Sequence, residues 1–374
     1  MQAKYKENTK SLIEVIPFVT VKGSLVPKTI EDRIQLVYLL RKFTEASRIA
    51  TLMLWRNKRR KEIEKRIYEI IPNVLYVESA IKHAKLVVEG AKVNNAKLPW
   101  RRIKHYFLFC RGNKWEKYGN RNIRIVNYKD GLFLIKIKNP FSKDITCTAS
   151  FGRFTNIILD LLELIRSGVE GYSARIVLRS GKFYIHVNVP IELYLKHTMK
   201  HQVREVNNIF VGIDVNAGFI DYCIIENYKP VKFGRIEFRE MLCPQYPRGK
   251  LWDGVIPSRL GMLIDVFRKY NVSTVFLENL FEITNPKHKV KWSSNPSVNR
   301  KISRFPKRKL LERVALYLAK HGFHVYFVNP AYTSKAGMVI SKRLGVDKHK
   351  GSSYVIAYRG LKVIKNNEKW LKTG

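Results

Sequence analysis

Between Phe210 and Glu226 the chain reads FVGIDVNAGFIDYCIIE: an apolar run ends in a single acid, Asp214, a short Asn216-Ala217-Gly218 turn follows, and a second apolar run resumes. The pattern predicts two antiparallel strands with one carboxylate planted between them. An acid at the end of a buried strand is costly to desolvate unless something offsets its charge, and a divalent cation is such a partner. A turn-capping aspartate is the other reading of this stretch taken alone.

The same signature recurs downstream. Ser273 to Leu280, STVFLENL, is again an apolar strand closing on one acid, Glu278. Between and after these acids the periodicity predicts a third strand in VKFGRIEF, a helix over Arg259–Tyr270, another over Leu310–His321, a strand over His324–Val328 and a closing helix over Gly351–Ile364. Strand, strand, strand, helix, strand, helix, strand, helix is the order of the ribonuclease-H-like fold. In that architecture the first and fourth strands are neighbours, so Asp214 and Glu278 are expected to face one another. Two facing carboxylates in a basic protein form a divalent-metal site suited to phosphodiester hydrolysis.

The protein is basic to an unusual degree: 70 Lys and Arg against 30 Asp and Glu in 374 residues give a formal charge of +40, spread along the whole length. Such an excess repels itself in the absence of a polyanion, and nucleic acid is the usual one. The 19 Tyr, 19 Phe and 6 Trp interleaved with these charges suit stacking on exposed bases. A hydrophobic share of 45% describes a globular chain long enough for two or three domains. Cys110, Cys147, Cys223 and Cys243 lie far apart with no CxxC pair, which argues against a disulfide scaffold or a thiolate zinc site. With no signal peptide and no long uncharged apolar span, a soluble intracellular chain is expected. Abundant Lys, Arg and Ile with scarce Gln hint at a hot-living source.

In the front half, Ser11–Gly23 alternates and predicts a strand. Thr29–Arg66 carries apolar residues at helical spacing, with the basic run WRNKRRKEIEKR in its second half, and a further helix covers about Leu75–Val93. From Trp100 onward short period-two runs return, with a hairpin turn at Ser180-Gly181 and an amphipathic helix over Phe154–Ser167. The first strand and these later ones are expected to close one small barrel into which the helical pair is inserted. Arg56, Lys58, Arg59 and Arg60 in the helical pair are candidate nucleic-acid contacts, as are Lys291, Arg300, Arg304 and Lys307 in KHKVKWSSNPSVNRKISRFPKRK. The latter segment is expected to be a loop that becomes ordered on a phosphate backbone.

VGIDVNAG, VFLENL, RFPKRKLLERVALYLAKHGFHVYFVNPAYTSKAG and VDKHKGSSYVIAYRG, in that order, resemble the RuvC-type nuclease domain of the TnpB family. These are transposon-associated, RNA-guided DNA endonucleases from which type V CRISPR effectors descend. Strong matching runs from about Phe210 to Leu361, and the front half matches in layout only. The resemblance implies an α/β plus all-β architecture: a RuvC-like, RNase H-like nuclease domain over 206–374, a wedge-like β-barrel from 1–28 and 97–205, and a helical recognition lobe over 29–96. It implies a guide RNA and target double-stranded DNA as partners, one protein per RNA, no membrane, and cytoplasmic placement in a prokaryote such as a thermophilic archaeon. Carried over by position, Asp214 and Glu278 are the first two metal-binding acids, for Mg2+ or Mn2+. The third acid's place falls on His349, with Asp347 two residues before it, and either is expected to complete the site. Imidazole suits manganese better than magnesium and can serve as a general base. Many relatives insert a four-cysteine ribbon between the second and third motifs; no cysteine follows Cys243, so no structural zinc is expected. Lys335, Tyr332 and Arg359 also match the family pattern, Lys335 as a phosphate contact. Two alternatives stay open: an RNA-guided DNA-binding repressor that has lost cleavage, and a DNA transposase built on a related fold.

Overall fold

The computed structural model describes residues 9–93, 98–216, 218–243, 245–281 and 307–373. Two compact units emerge, one formed by residues 18–197 and the other by residues 1–17 together with 198–374.

The first unit is a curled, wholly antiparallel half-barrel of seven strands. Its strands are β2 (Phe18–Pro27), β3 (Phe107–Cys110), β4 (Ile123–Lys129), β5 (Leu132–Ile137), β6 (Ile145–Ser150), β7 (Ala174–Arg179) and β8 (Lys182–Pro190), in the order β3-β7-β8-β2-β6-β5-β4. Alternation dictates the buried face: in β2, Val19, Val21, Gly23 and Leu25 are inside and their neighbours outside. The β7–β8 hairpin forms at the predicted turn, where Ser180 and Gly181 both take positive φ, 47° and 74°, the twist that matches two antiparallel strands.

Where a closed barrel was expected, β3 and β4 remain sheet edges among the described residues, because side chains satisfy the backbone groups that closure would have paired. At one edge the hydroxyl of Thr44 accepts the Phe107 amide at 3.0 Å. At the other, Asn120 Oδ1 accepts the Ile123 amide at 2.9 Å and the Tyr172 hydroxyl accepts that of Ile125 at 2.8 Å. Thr44 belongs to α2 (Ile30–Trp55), whose Leu36, Leu39, Leu40, Phe43, Ala46 and Ala50 are completely buried against the sheet and α4 (Val74–Val93). Phe43 meets Phe107 and Tyr76 edge-on at 5.2 and 6.0 Å. The single helix expected over Thr29–Arg66 is two. After α2 the chain turns at Asn57, a residue that tolerates positive φ (55°), and restarts as α3 (Arg60–Ile70). Helices α5 (Thr155–Arg166) and α6 (Ile191–Thr198) complete the unit.

The second unit is built on a mixed six-stranded sheet, ordered β1-β13-β12-β9-β10-β11. Its members are β1 (Lys10–Ser11), β9 (Ile209–Asn216), β10 (Phe219–Glu226), β11 (Lys229–Glu237), β12 (Thr274–Glu278) and β13 (His324–Val328). The strand expected over Ser11–Gly23 is therefore divided. Ser11 and Glu14 form a reciprocal capping box that winds Leu12–Val15 (α1) into one helical turn, and Pro17 precedes the restart at Phe18. β9, β10 and β11 form an antiparallel meander, β12 runs parallel to β9, and β13 parallel to β12.

After the short α7 (Arg248–Lys250), the helices of this unit are α8 (Ile256–Lys269), α9 (Lys307–Lys320), α10 (Thr333–Leu344) and α11 (Lys348–Thr373). α11 crosses the sheet so closely at β9 that a Cβ on Gly212 would collide with the Ser353 carbonyl oxygen and the backbone of Ala357. Phe210, Cys223, Phe276, Ile356 and Leu361 close the core beneath this crossing. No described helix is long and apolar enough to cross a membrane.

Candidate metal centre

Parallel pairing of β12 with β9 sets Leu277 beside Ile213, so Glu278 and Asp214 follow one step further along neighbouring strands, as the sequence pattern predicts. Both residues are nearly enclosed, at 5% exposure for Asp214 and 9% for Glu278. Burial holds the Glu278 carboxyl above its ordinary range and the Asp214 charge adds to this, while Lys307, the Thr333 hydroxyl and Arg359 pull the other way. Among the described residues Lys307 is the cation paired with Glu278, its Nζ 3.8 Å from Oε2. Lys307, expected as a nucleic-acid contact, stands against the second acid.

Asp214 is held on one oxygen. Asn216 Nδ2 donates to Oδ2 at 2.9 Å, and His349 Nδ1 lies 3.1 Å from the same atom, while Oδ1 has no hydrogen-bond partner among the described residues. A carboxylate only accepts, so in this bond Nδ1 carries a proton and donates it to Asp214. His349 reaches this position because α11 begins beside the end of β9 and is fixed there by the close crossing at Gly212. Its ring meets that of Phe219 edge-on at 5.3 Å.

Asp347 is turned elsewhere. Its Oδ1 accepts the His349 amide at 2.8 Å, the bond of a helix N-cap, and receives Arg235 Nη2 at 3.3 Å. Partial burial makes it a weaker acid, but the His349 amide and ring, Arg235 and Lys348 together hold the carboxyl below its usual range. Of the two candidates for the third position, His349 is the one seated on Asp214.

Among the described residues no three His, Cys, Asp or Glu side chains are disposed as a ready metal cage. What is present is two hard oxygen donors and an adjacent imidazole, with Asp214 Oδ1 open. That donor set fits one divalent ion whose remaining positions are left to water and substrate.

Beyond the acids, Arg359 fastens the loop entering α10: its Nη1 donates to the carbonyl oxygens of Asn329 (3.3 Å) and Ala331 (2.7 Å) and to Thr333 Oγ1 (3.2 Å). This holds Tyr332 at φ 59°, an uncommon conformation for a bulky residue, and leaves its ring exposed. Lys335, in the first turn of α10, is exposed with Nζ 5.8 Å from the Tyr332 ring centre. Arg56, Lys58, Arg59 and Arg60 are exposed on the other unit. Lys58 and Arg60 are already paired with Glu62 (3.7 Å) and Glu64 (2.6 Å). Lys291, Arg300 and Arg304 lie outside the described residues. Sequence reasoning missed Asp221 and Arg235, although Asp221 stands in an apolar run as conspicuous as the one that drew attention to Asp214.

Residues 18–199 match the family model described as the SSO2105 N-terminal domain, with limits that nearly coincide with the half-barrel unit. Solved structures with detectable likeness include a Cas12f1–sgRNA–target DNA complex (13% identity, 88% of this chain and 82% of that one, TM-score 0.46) and Thermus thermophilus RuvC (15% identity, 40% and 91%, TM-score 0.26). An Aeropyrum pernix protein is 25% identical over 337 residues, 83% of this chain and 85% of its own. Over nearly its whole length the chain is similar to the SSO2105 protein of Saccharolobus solfataricus, at 28% identity across 361 residues, 94% of this chain and 95% of that one.

Proposed function

We propose that this protein is an RNA-guided, divalent-metal-dependent DNA endonuclease with a ribonuclease-H-like catalytic unit. The observation that carries the reading is the pair of enclosed carboxylates, Asp214 and Glu278, brought side by side on adjacent parallel strands of a chain whose net charge is +40. Two acids so placed repel one another and resist desolvation unless a cation lies between them. Magnesium or manganese, held by Asp214 and Glu278, would supply Lewis-acid stabilisation of a phosphodiester undergoing in-line displacement. Asn216 and His349 orient Asp214 through Oδ2. In the tautomer that keeps its proton on Nδ1, His349 offers Nε2 to take a proton from an attacking water. Lys307 sets a positive charge at the Glu278 edge. The charge excess supports a polyanionic partner bound by many phosphate contacts, and the ordered motifs from Phe210 to Leu361 support guidance by RNA.

The protein is purified and its nucleic acid sequenced, then the complex is offered matched and unmatched DNA with Mg2+ or Mn2+. A defined RNA, cleavage of matched DNA only, and loss of cleavage in Asp214→Ala are expected. One observation favours a second reading: the third acid's place holds an imidazole while Asp347 is engaged by Arg235. A defined RNA with tight DNA binding and no cutting would establish a guided repressor. Absence of RNA would defeat both readings and return the transposase alternative.

A further inference from the structure

A second acid stands beside the first. Asp214 on β9 is directly opposite Asp221 on β10, and Asp221 is directly opposite Arg235 on β11. Residues paired across strands share a face, so Glu278, Asp214, Asp221 and Arg235 form one row over four neighbouring strands. Asp221 is 0% exposed. A carboxylate so placed, next to another, requires a cation, and Arg235 supplies it fork to fork: Nε to Oδ1 at 2.8 Å and Nη2 to Oδ2 at 2.7 Å. The same Nη2 reaches Asp347 Oδ1, and the guanidinium lies 4.1 Å over the Phe219 ring, which also meets His349.

We propose, resting on the metal-dependent reading above, that Arg235 is the resident second cation of this centre. The chain binds one catalytic divalent ion on Asp214 and Glu278, and the positive charge that a second ion would bring among the neighbouring carboxylates is carried by the guanidinium. Three of the four carboxylate oxygens that Asp221 and Asp347 could give a second ion are taken. Both oxygens of Asp221 are bonded to Arg235, and Asp347 Oδ1 is shared between Arg235 and the His349 amide. A guanidinium does not deprotonate in proteins, and its displacement would leave Asp221 buried and unpaired. It also brings a fixed geometry that a mobile ion lacks: by bridging Asp221 to Asp347 it ties the start of α11, and with it His349, to β10 and β11. Arg235 is thus a positioning residue whose charge substitutes for an ion.

The test counts Mn2+ bound per chain by native mass spectrometry and electron paramagnetic resonance, and compares wild type with Asp214→Asn. One ion lost on the Asp214 substitution, with the six-line signal of an isolated Mn2+, is expected. Arg235→Ala frees Asp221 and Asp347, so it should gain a second ion with a coupled-pair signal, and Arg235→Ala/Asp347→Asn should return to one. Arg235→Lys keeps the charge and should stay at one. Two Asp214-dependent ions in the wild type, or a natively folded Arg235→Ala that still binds one, overturn the proposal. If Arg235→Ala does not fold, the counts for wild type and Arg235→Lys decide, and two ions in either overturns it. No Asp214-dependent ion in the wild type instead defeats the metal-dependent reading itself.

Discussion

Glu278 is a residue held against its own electrostatics: nearly enclosed, raised above the ordinary carboxylate range by burial and by the charge of Asp214, and offset by a lysine at 3.8 Å. Such a site sacrifices stability for function, so neutralising it should stabilise the empty protein. Glu278→Gln is expected to raise Tm in the presence of EDTA at neutral pH, by the equivalent of about 1–2 kcal/mol, while abolishing cleavage. A Tm that falls, or cleavage that survives, contradicts the role assigned to the pair. At this scale the sequence was legible where an acid interrupts an apolar run. It marked Asp214 and Glu278, and the same rule applied to FIDYCIIE would have marked Asp221. It had no means of marking Arg235, since an arginine in VKFGRIEF reads as one more charge among 70 until pairing sets it opposite a buried acid.

Among the elements, α11 does the positioning. Its contact with β9 depends on the absence of a side chain at Gly212, where backbone meets backbone. Gly212→Ala should cost about 1–3 kcal/mol by overpacking and lift the start of α11 from the strand, measured as a lower Tm together with lost cleavage. Gly90, in α4, has nothing within 4 Å of where a Cβ would sit, so Gly90→Ala should stabilise by about 0.4–1 kcal/mol and leave cleavage unchanged. The pair of Tm values separates an effect of packing from an effect of glycine entropy. Element boundaries were the less legible part. The alternation of SLIEVIPFVTVKG conceals a capping box that only its Ser-x-x-Glu spacing discloses, and WRNKRR reads as continuous helix until Asn57 takes positive φ.

For the molecule as a whole, burial beside like charge has a stability consequence that is readable in its histidines. His83 and His186, both in the half-barrel unit, are pushed down to about 4, by burial first and then by Arg175, with Arg179 and Lys22 adding to the effect on His186. In the unfolded chain each titrates near 6.5. As pH falls below that value the unfolded state takes up protons that the native state refuses, so stability is lost progressively between about pH 6.5 and 4. Calorimetry across this window should show a falling Tm, and His83→Leu, which packs an apolar group against Phe107 in place of the ring now 4.6 Å from it, should flatten the fall. A Tm independent of pH over that range contradicts the assignment.

By itself the sequence determined most of the elements and their order, the hairpin at Ser180-Gly181, the two apolar strands that carry acids, and the net charge of +40. These rest on periodicity, turn chemistry and net charge, which are local or additive properties. Tertiary structure alone decided that the half-barrel stays open, because Thr44 and Tyr172 satisfy its edges from distant positions, with Asn120 capping Ile123 locally. It decided too that His349 rather than Asp347 meets Asp214, and that a fourth carboxylate brings its own guanidinium. Strand register and burial make those choices, and the meeting of His349 with Asp214 and of Arg235 with Asp347 brings together residues more than a hundred positions apart.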